Sequence, residues 1–215
     1  MGYSSIAISS GHSKYVAGAC ALIEEVPEAR RVVDQVAAVL ATMGVYCCAF
    51  HDNTSKTQSE NLNTIVSWHN AQQRELDVSV HFNAAQKPTD GALGVEVLYL
   101  TQEELAAEVS AAIAACGLKN RGPKPRNDLA FLNGTDMPAI LIEVCFVNST
   151  EDVSIYQSRF SDICDQIALT LAGLEIVAKP PAGARPIIAM AISVPDGVEL
   201  SITVNGVGIL LAGED

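Results

Sequence analysis

Cations are scarce in this chain: Lys and Arg total 13 against 25 Asp and Glu, and 13 minus 25 leaves a formal net charge of -12. A phosphate backbone is repelled by such a surface, so no nucleic acid is expected as a partner. Long apolar runs are also missing. No stretch approaches the roughly 18 residues of a membrane span, and Met1-Gly2-Tyr3-Ser4-Ser5-Ile6 offers no basic segment ahead of an apolar one. The expectation is therefore a chain without a membrane span, cytoplasmic on synthesis. None of the six cysteines, Cys20, Cys47, Cys48, Cys116, Cys145 and Cys164, forms a C-x-x-C pair, and four lie inside apolar runs. That argues against a disulfide framework and against a Cys-rich structural metal site.

What the chain does have is apolar mass. Hydrophobic residues make up 49% and charged ones 18% of 215 residues, enough for one full domain and a small appendage. Strand-like and amphipathic runs alternate to about residue 175, which predicts an α/β fold: a mostly parallel six-stranded sheet flanked by helices on both faces. The predicted strands are Ser4–Ser9, Val45–Phe50, Asp77–Asn83, Gly94–Leu100, a short Leu129–Leu132, and Ala139–Phe146. Helices are predicted from Pro27 to Met43, Thr57 to Arg74, Gln102 to Ala115, and Glu151 to Leu174. Three prolines among residues 179–186 mark a linker, and 187–215, rich in Ile and Val with turn signals at Pro195-Asp196-Gly197 and Asn205-Gly206, reads as a short C-terminal β extension. About 29 residues hold no core alone, so this extension is a candidate for self-association. The expected organisation is 1–178, 179–186 and 187–215.

Three polar residues stand out against this apolar background. His12 follows the first strand in Ile8-Ser9-Ser10-Gly11-His12, at the strand edge where open α/β sheets bind ligands. His81 closes Val78-Ser79-Val80-His81, and Glu143 interrupts Ile140-Leu141-Ile142-Glu143-Val144, where a lone carboxylate costs several kcal/mol unless paired, protonated or beside a cation. Each alone has a bland reading as a hydrogen-bonded rim residue. Together, two imidazoles and a carboxylate at comparable strand ends meet the requirements of a catalytic zinc site. For a third ligand, Glu24, Glu25 and Glu28 all lie in the segment after the first strand, where acids also serve as helix N-terminal charge.

These residues resemble a known family, the zinc N-acetylmuramoyl-L-alanine amidases of sporulation, cell division and phage lysis. The resemblance rests on Ile6-Ala7-Ile8-Ser9-Ser10-Gly11-His12, on a Glu opening the first helix, on Ser79-Val80-His81-Phe82-Asn83-Ala84, and on Pro138 through Asn148 followed by Glu151-Asp152. It covers residues 4 to about 174. It implies one Zn2+ ion bound by His12, Glu28 and His81, Glu143 as acid/base, and Asn83 at the rim contacting substrate. Glu28 is chosen because the family's third ligand sits about one turn before the apolar run of the helix. It further implies hydrolysis of the amide between N-acetylmuramic acid and L-alanine in peptidoglycan. The lack of a basic segment ahead of an apolar one at the N-terminus adds the expectation of an endolysin acting on the wall after release, with a cytosolic or non-classically exported amidase as the alternative. A zinc peptidase or other amide hydrolase, or a weak wall-binding module, are the alternatives. The chain departs from many relatives after His12, where Ser13-Lys14-Tyr15-Val16-Ala17-Gly18-Ala19 keeps only a Gly-Ala fragment of their D-P-G-A-x-G stretch.

Overall fold

The computed structural model describes residues 2–174 and, for the backbone alone, 202–204 and 207–209. Contacts divide the chain into two compact units, Met1–Ile176 and Val177–Asp215. The predicted linker at 179–186 lies outside the described residues. In the second unit, β7 (Ile202–Val204) pairs antiparallel with β8 (Val207–Ile209).

The first unit is built on β1 (Ser5–Ser10), β2 (Tyr46–Phe50), β3 (Leu76–Asn83), β4 (Val95–Tyr99), β5 (Asn120–Pro125) and β6 (Ala139–Phe146). They form one sheet in the order β2-β1-β3-β6-β4-β5. The first four in that order are parallel; β4 runs against β6, and β5 is parallel to β4. The α/β class with a mostly parallel six-stranded sheet is thus as expected, with two corrections to its parts. Leu129–Leu132 is not a strand: it leads into a short helix, α4 (Ala130–Gly134), and the missing strand is β5, a segment carrying Gly122, Pro123 and Pro125.

The remaining helices are α1 (Glu25–Thr42), α2 (Gln58–Asn70), α3 (Glu103–Ala114), α5 (Thr150–Ser158) and α6 (Phe160–Leu171). In α1, Ala29, Val32, Val33, Val36 and Leu40 recur at helical spacing and are all fully or almost fully buried, and Gly44 at φ 76° ends the helix turn. A capping box between Thr57 and Glu60 starts α2, and the Ser149 side chain caps α5.

Strand alternation sorts the side chains. Leu76, Val78, Val80 and Phe82 of β3 join the larger core with residues of α1, α3 and α6; Leu98, Leu141, Ile65 and Phe131 form a smaller core on the other face, under α2 and α4. That second face carries the polar residues of β3, β4 and β6. No helix of the described residues is long and apolar enough to cross a membrane.

Candidate metal centre and proton-transfer site

His12, Glu25 and His81 converge at the C-terminal edge of the parallel strands, with one potential ligand atom from each lying within 4.8 Å of the others. His12 leaves β1 through Gly11, whose N–H donates to the Val80 carbonyl at 3.0 Å. His81 lies near the end of β3, and its ring stands edge-on to that of His12, with centroids 5.3 Å apart. Glu25 opens α1 and is 3% exposed. Because α1 runs back along the sheet, its first turn is what reaches the edge where the imidazoles stand.

The Glu25 carboxylate is gripped from four directions. Oε2 accepts from the Ala19 N–H at 2.6 Å and lies 3.3 Å from His12 Nε2; Oε1 is 2.9 Å from His81 Nδ1 and accepts from the Phe82 N–H at 3.1 Å. Burial alone would push its pKa up. Hydrogen bonds to His12 and His81 and the charge of those rings win, and hold it well below the usual carboxylate range.

Two glycines make room for this packing. A Cβ on Gly11 would stand 1.9 Å from the His81 ring, and one on Gly18 would stand 2.2 Å from Glu25 Oε2. The backbone lies against the cluster at both places, which only glycine permits.

Glu28 stands elsewhere. It is one turn further along α1, and its Oε2 accepts from the Tyr156 hydroxyl at 2.7 Å and from Arg31 at 2.6 Å. It is absent from the convergent group, whose carboxylate is that of Glu25 and not the Glu28 expected from the sequence. The signal was depth along the helix: three residues of α-helix rise about 4.5 Å, which carries Glu28 away from the sheet edge.

Glu143 pairs with His81 in the β3–β6 register and with Glu96 across β4. Its Oε2 is buried without a hydrogen-bond partner. Burial, then the negative charges of Glu25 and Glu96, push its pKa up to about 8, against a smaller opposing pull from Arg126. Asn83, expected at the rim, donates from Nδ2 to Glu96 Oε1 at 2.8 Å and accepts at Oδ1 from the Ala84 N–H. Arg121 holds the other Glu96 oxygen at 2.6 Å. Glu96 and Arg121 carry no motif or spacing in the sequence that singles them out.

The segments that carry or follow the site residues also wall a groove of about 380 Å³, lined by Leu22, Pro88, Thr89, Asp90, Asn148 and Thr150 among others. Its walls are zipped together by the Leu22 N–H to the Val147 carbonyl and by the Asn148 side chain to both main-chain groups of Ala85. Asp152 ties the back of this region, accepting from the N–H groups of Leu93, Gly94 and Phe146.

Two imidazole nitrogens and a carboxylate form the donor set of a catalytic zinc site, and the orphaned Glu143 oxygen lies on the neighbouring strand; the residues present fit a metal ion.

Comparison with known proteins bears on the fold and the family. An uncharacterised protein of Clostridium perfringens is 32% identical over 172 residues, covering 75% of this chain and 49% of its own length. The endolysin of Bacillus phage SPP1 is 29% identical over 130 residues, covering 54% and 46%. The chain spans about half the length of the curated relatives it matches. Among solved structures, the catalytic domain of the CD27L endolysin targeting Clostridia Difficile superposes with a TM-score of 0.70 at 23% identity, over 80% of this chain and 98% of that one. The N-acetylmuramoyl-L-alanine amidase AmiC2 of Nostoc punctiforme gives 0.65 at 24% identity, over 78% and 94%. At these identities the solved structures establish the fold. The family described as N-acetylmuramoyl-L-alanine amidase, Amidase_3, matches residues 6–172, most of the chain, and this chain belongs to it.

Proposed function

We propose that this chain hydrolyses the amide between N-acetylmuramic acid and L-alanine in peptidoglycan, using one Zn2+ held by His12, Glu25 and His81 and Glu143 as the proton carrier. The observation that carries the reading is the convergence of those three ligand groups in a chain of this family. A zinc ion bound there supplies positive charge to acidify water and to stabilise charge developing on the substrate carbonyl oxygen.

The chain's own residues do the rest. Glu143 takes the proton from the attacking water and delivers it to the departing L-alanine nitrogen, so it must change protonation state within each turnover. A pKa raised to about 8 by burial, Glu25 and Glu96 brings it into the range where both states are accessible. Asn83 and Arg121 fix Glu96 in place, so the negative charge beside Glu143 does not wander. The groove bordered by Leu22, Asp90 and Asn148, on segments that follow β1, β3 and β6 in the chain, offers an extended substrate a wall of hydroxyl, amide and apolar surface. Two relatives bear the name endolysin, which supports a lysin that meets the wall after release from the cytoplasm.

The test is clearance of purified peptidoglycan by the wild type, a zinc-stripped sample and Glu143→Ala, with metal content assayed alongside. Expected are clearance by the wild type, reversible loss on stripping, and a Glu143→Ala protein that holds zinc without clearing. New N-terminal alanine identifies the amidase; a different new amino terminus identifies a peptidase and overturns the substrate assignment.

A further inference from the structure

The turn that carries His12 is held from both sides by a single short segment, residues 51–55, directly after β2. Ahead of His12, Ser10 Oγ meets His51 Nδ1 at 3.0 Å. Behind it, Ser13 Oγ donates to the Ser55 carbonyl at 2.7 Å and the Lys14 N–H donates to the Asp52 carbonyl at 2.9 Å. Ser13 Oγ also accepts from the N–H groups of Tyr15 and Val16, so the chain beyond the turn is shaped by the same hydroxyl.

The segment is itself braced against two helices. His51 Nε2 meets Asp34 of α1 at 3.0 Å, and Arg30 of the same helix donates to the Asp52 carbonyl and to Asn53 Oδ1. The Asp52 carboxylate closes the segment on itself through Thr54 and the Ser55 N–H, and accepts from Asn61 of α2 at 2.9 Å. Ser55 Oγ meets Thr64 of the same helix at 3.1 Å. Ser10, Ser13, Asp52 and Ser55 are all buried. None of residues 51–55 belongs to the convergent group.

We infer that residues 51–55 clamp the His12 turn and thereby set the affinity of the site for a divalent cation, with His51 and Ser13 as positioning residues. The inference rests on the reading of His12, Glu25 and His81 as metal ligands. Removing groups that orient metal ligands typically costs about 10–100-fold in metal affinity.

The experiment uses the full chain as wild type, His51→Ala, Ser13→Ala and, as a control, Ile167→Val in the buried face of α6, far along the chain from the clamp. Two quantities are read: the Zn2+ dissociation constant by competition with a chromophoric chelator, and the thermal unfolding midpoint of the metal-free protein. Expected is a dissociation constant raised about 10-fold or more in both clamp variants, with Ile167→Val melting lower yet binding Zn2+ as the wild type does. Dissociation constants within twofold of wild type in the clamp variants overturn the inference, as does an equal rise in the control. If His51→Ala does not fold, Ser13→Ala decides between these outcomes. A wild type that takes up no Zn2+ overturns the metal reading itself, and the clamp with it.

Discussion

Glu25 and Glu28 differ by a single turn of α1 and by everything that surrounds their carboxylates. Glu25 faces two imidazoles and two backbone N–H groups; Glu28 faces a phenol and a guanidinium. Glu25→Gln is therefore expected to lose bound zinc, while Glu28→Gln retains it and gives up about 1–2 kcal/mol of stability as the Tyr156 and Arg31 contacts weaken. Zinc content after dialysis, together with denaturant melts, separates the two. Gly11→Ala is expected to lose zinc as well, because the new methyl group would occupy the space of the His81 ring; a variant that folds and binds stoichiometric metal would refute this. His12, His81 and Glu143 were legible in the sequence because each is a polar residue at the end or middle of an apolar run. The acid that joins the two imidazoles was not, since Glu24, Glu25 and Glu28 share one charged helix start and only the depth of the helix over the sheet distinguishes them.

Among elements, α2 is fastened to the sheet by polar groups as well as by Ile65. His69 is fully buried, with Nδ1 2.7 Å from Asp77 Oδ1 and Nε2 2.9 Å from Ser9 Oγ, while Arg74 forks onto both Asp77 oxygens. Burial lowers the His69 pKa despite the opposing pull of Asp77. Below about 6.5 the unfolded chain binds a proton that the fold resists, so stability is lost as pH falls. Asp77 adds to this at lower pH: burial opposes its ionisation, but His69 and Arg74 hold its pKa down, so its contribution is present above about 3.8 and is lost as pH falls through the folded value. Metal-free protein is thus expected to lose denaturant midpoint between pH 7 and pH 5, and His69→Gln to lose less over that interval from a lower start. An equal slope in both would show that His69 is not a source of the acid sensitivity. The strands of the parallel core were readable as apolar runs between turn signals, and Ala139–Phe146 has the boundaries expected of it. β5 was not, because Gly122, Pro123 and Pro125 read as a loop; an edge strand tolerates prolines that a central one would not. Leu129–Leu132 was misread as a strand because a four-residue apolar run has no period to decide by. The single helix expected from Glu151 to Leu174 is broken at Arg159, whose φ of -119° is not helical.

For the whole molecule, the net charge of -12 opposes approach to any wall that carries anionic polymers. Salt screens that repulsion over a Debye length of about 8 Å at physiological ionic strength. Clearance of such walls is expected to rise as salt is added from low ionic strength, while cleavage of a small uncharged muramoyl amide stays flat; parallel salt series on the two substrates make the comparison. The contact-defined first unit, Met1–Ile176, encloses the convergent ligands, Glu143 and both hydrophobic cores. A chain ending after Ile176 is therefore expected to unfold cooperatively and to bind zinc as tightly as the full chain; sedimentation of the two forms tests whether the extension mediates self-association. One reversal in the sheet bears on how such a protein can change. Because β4 runs against β6, it is the start of β4 that stands beside Glu143, and the connection entering it, residues 84–94, begins directly after β3 and borders the site. Descendants of this sequence can thus acquire new preferences by lengthening or rewriting that one connection, leaving the four parallel strands and the residues they present untouched.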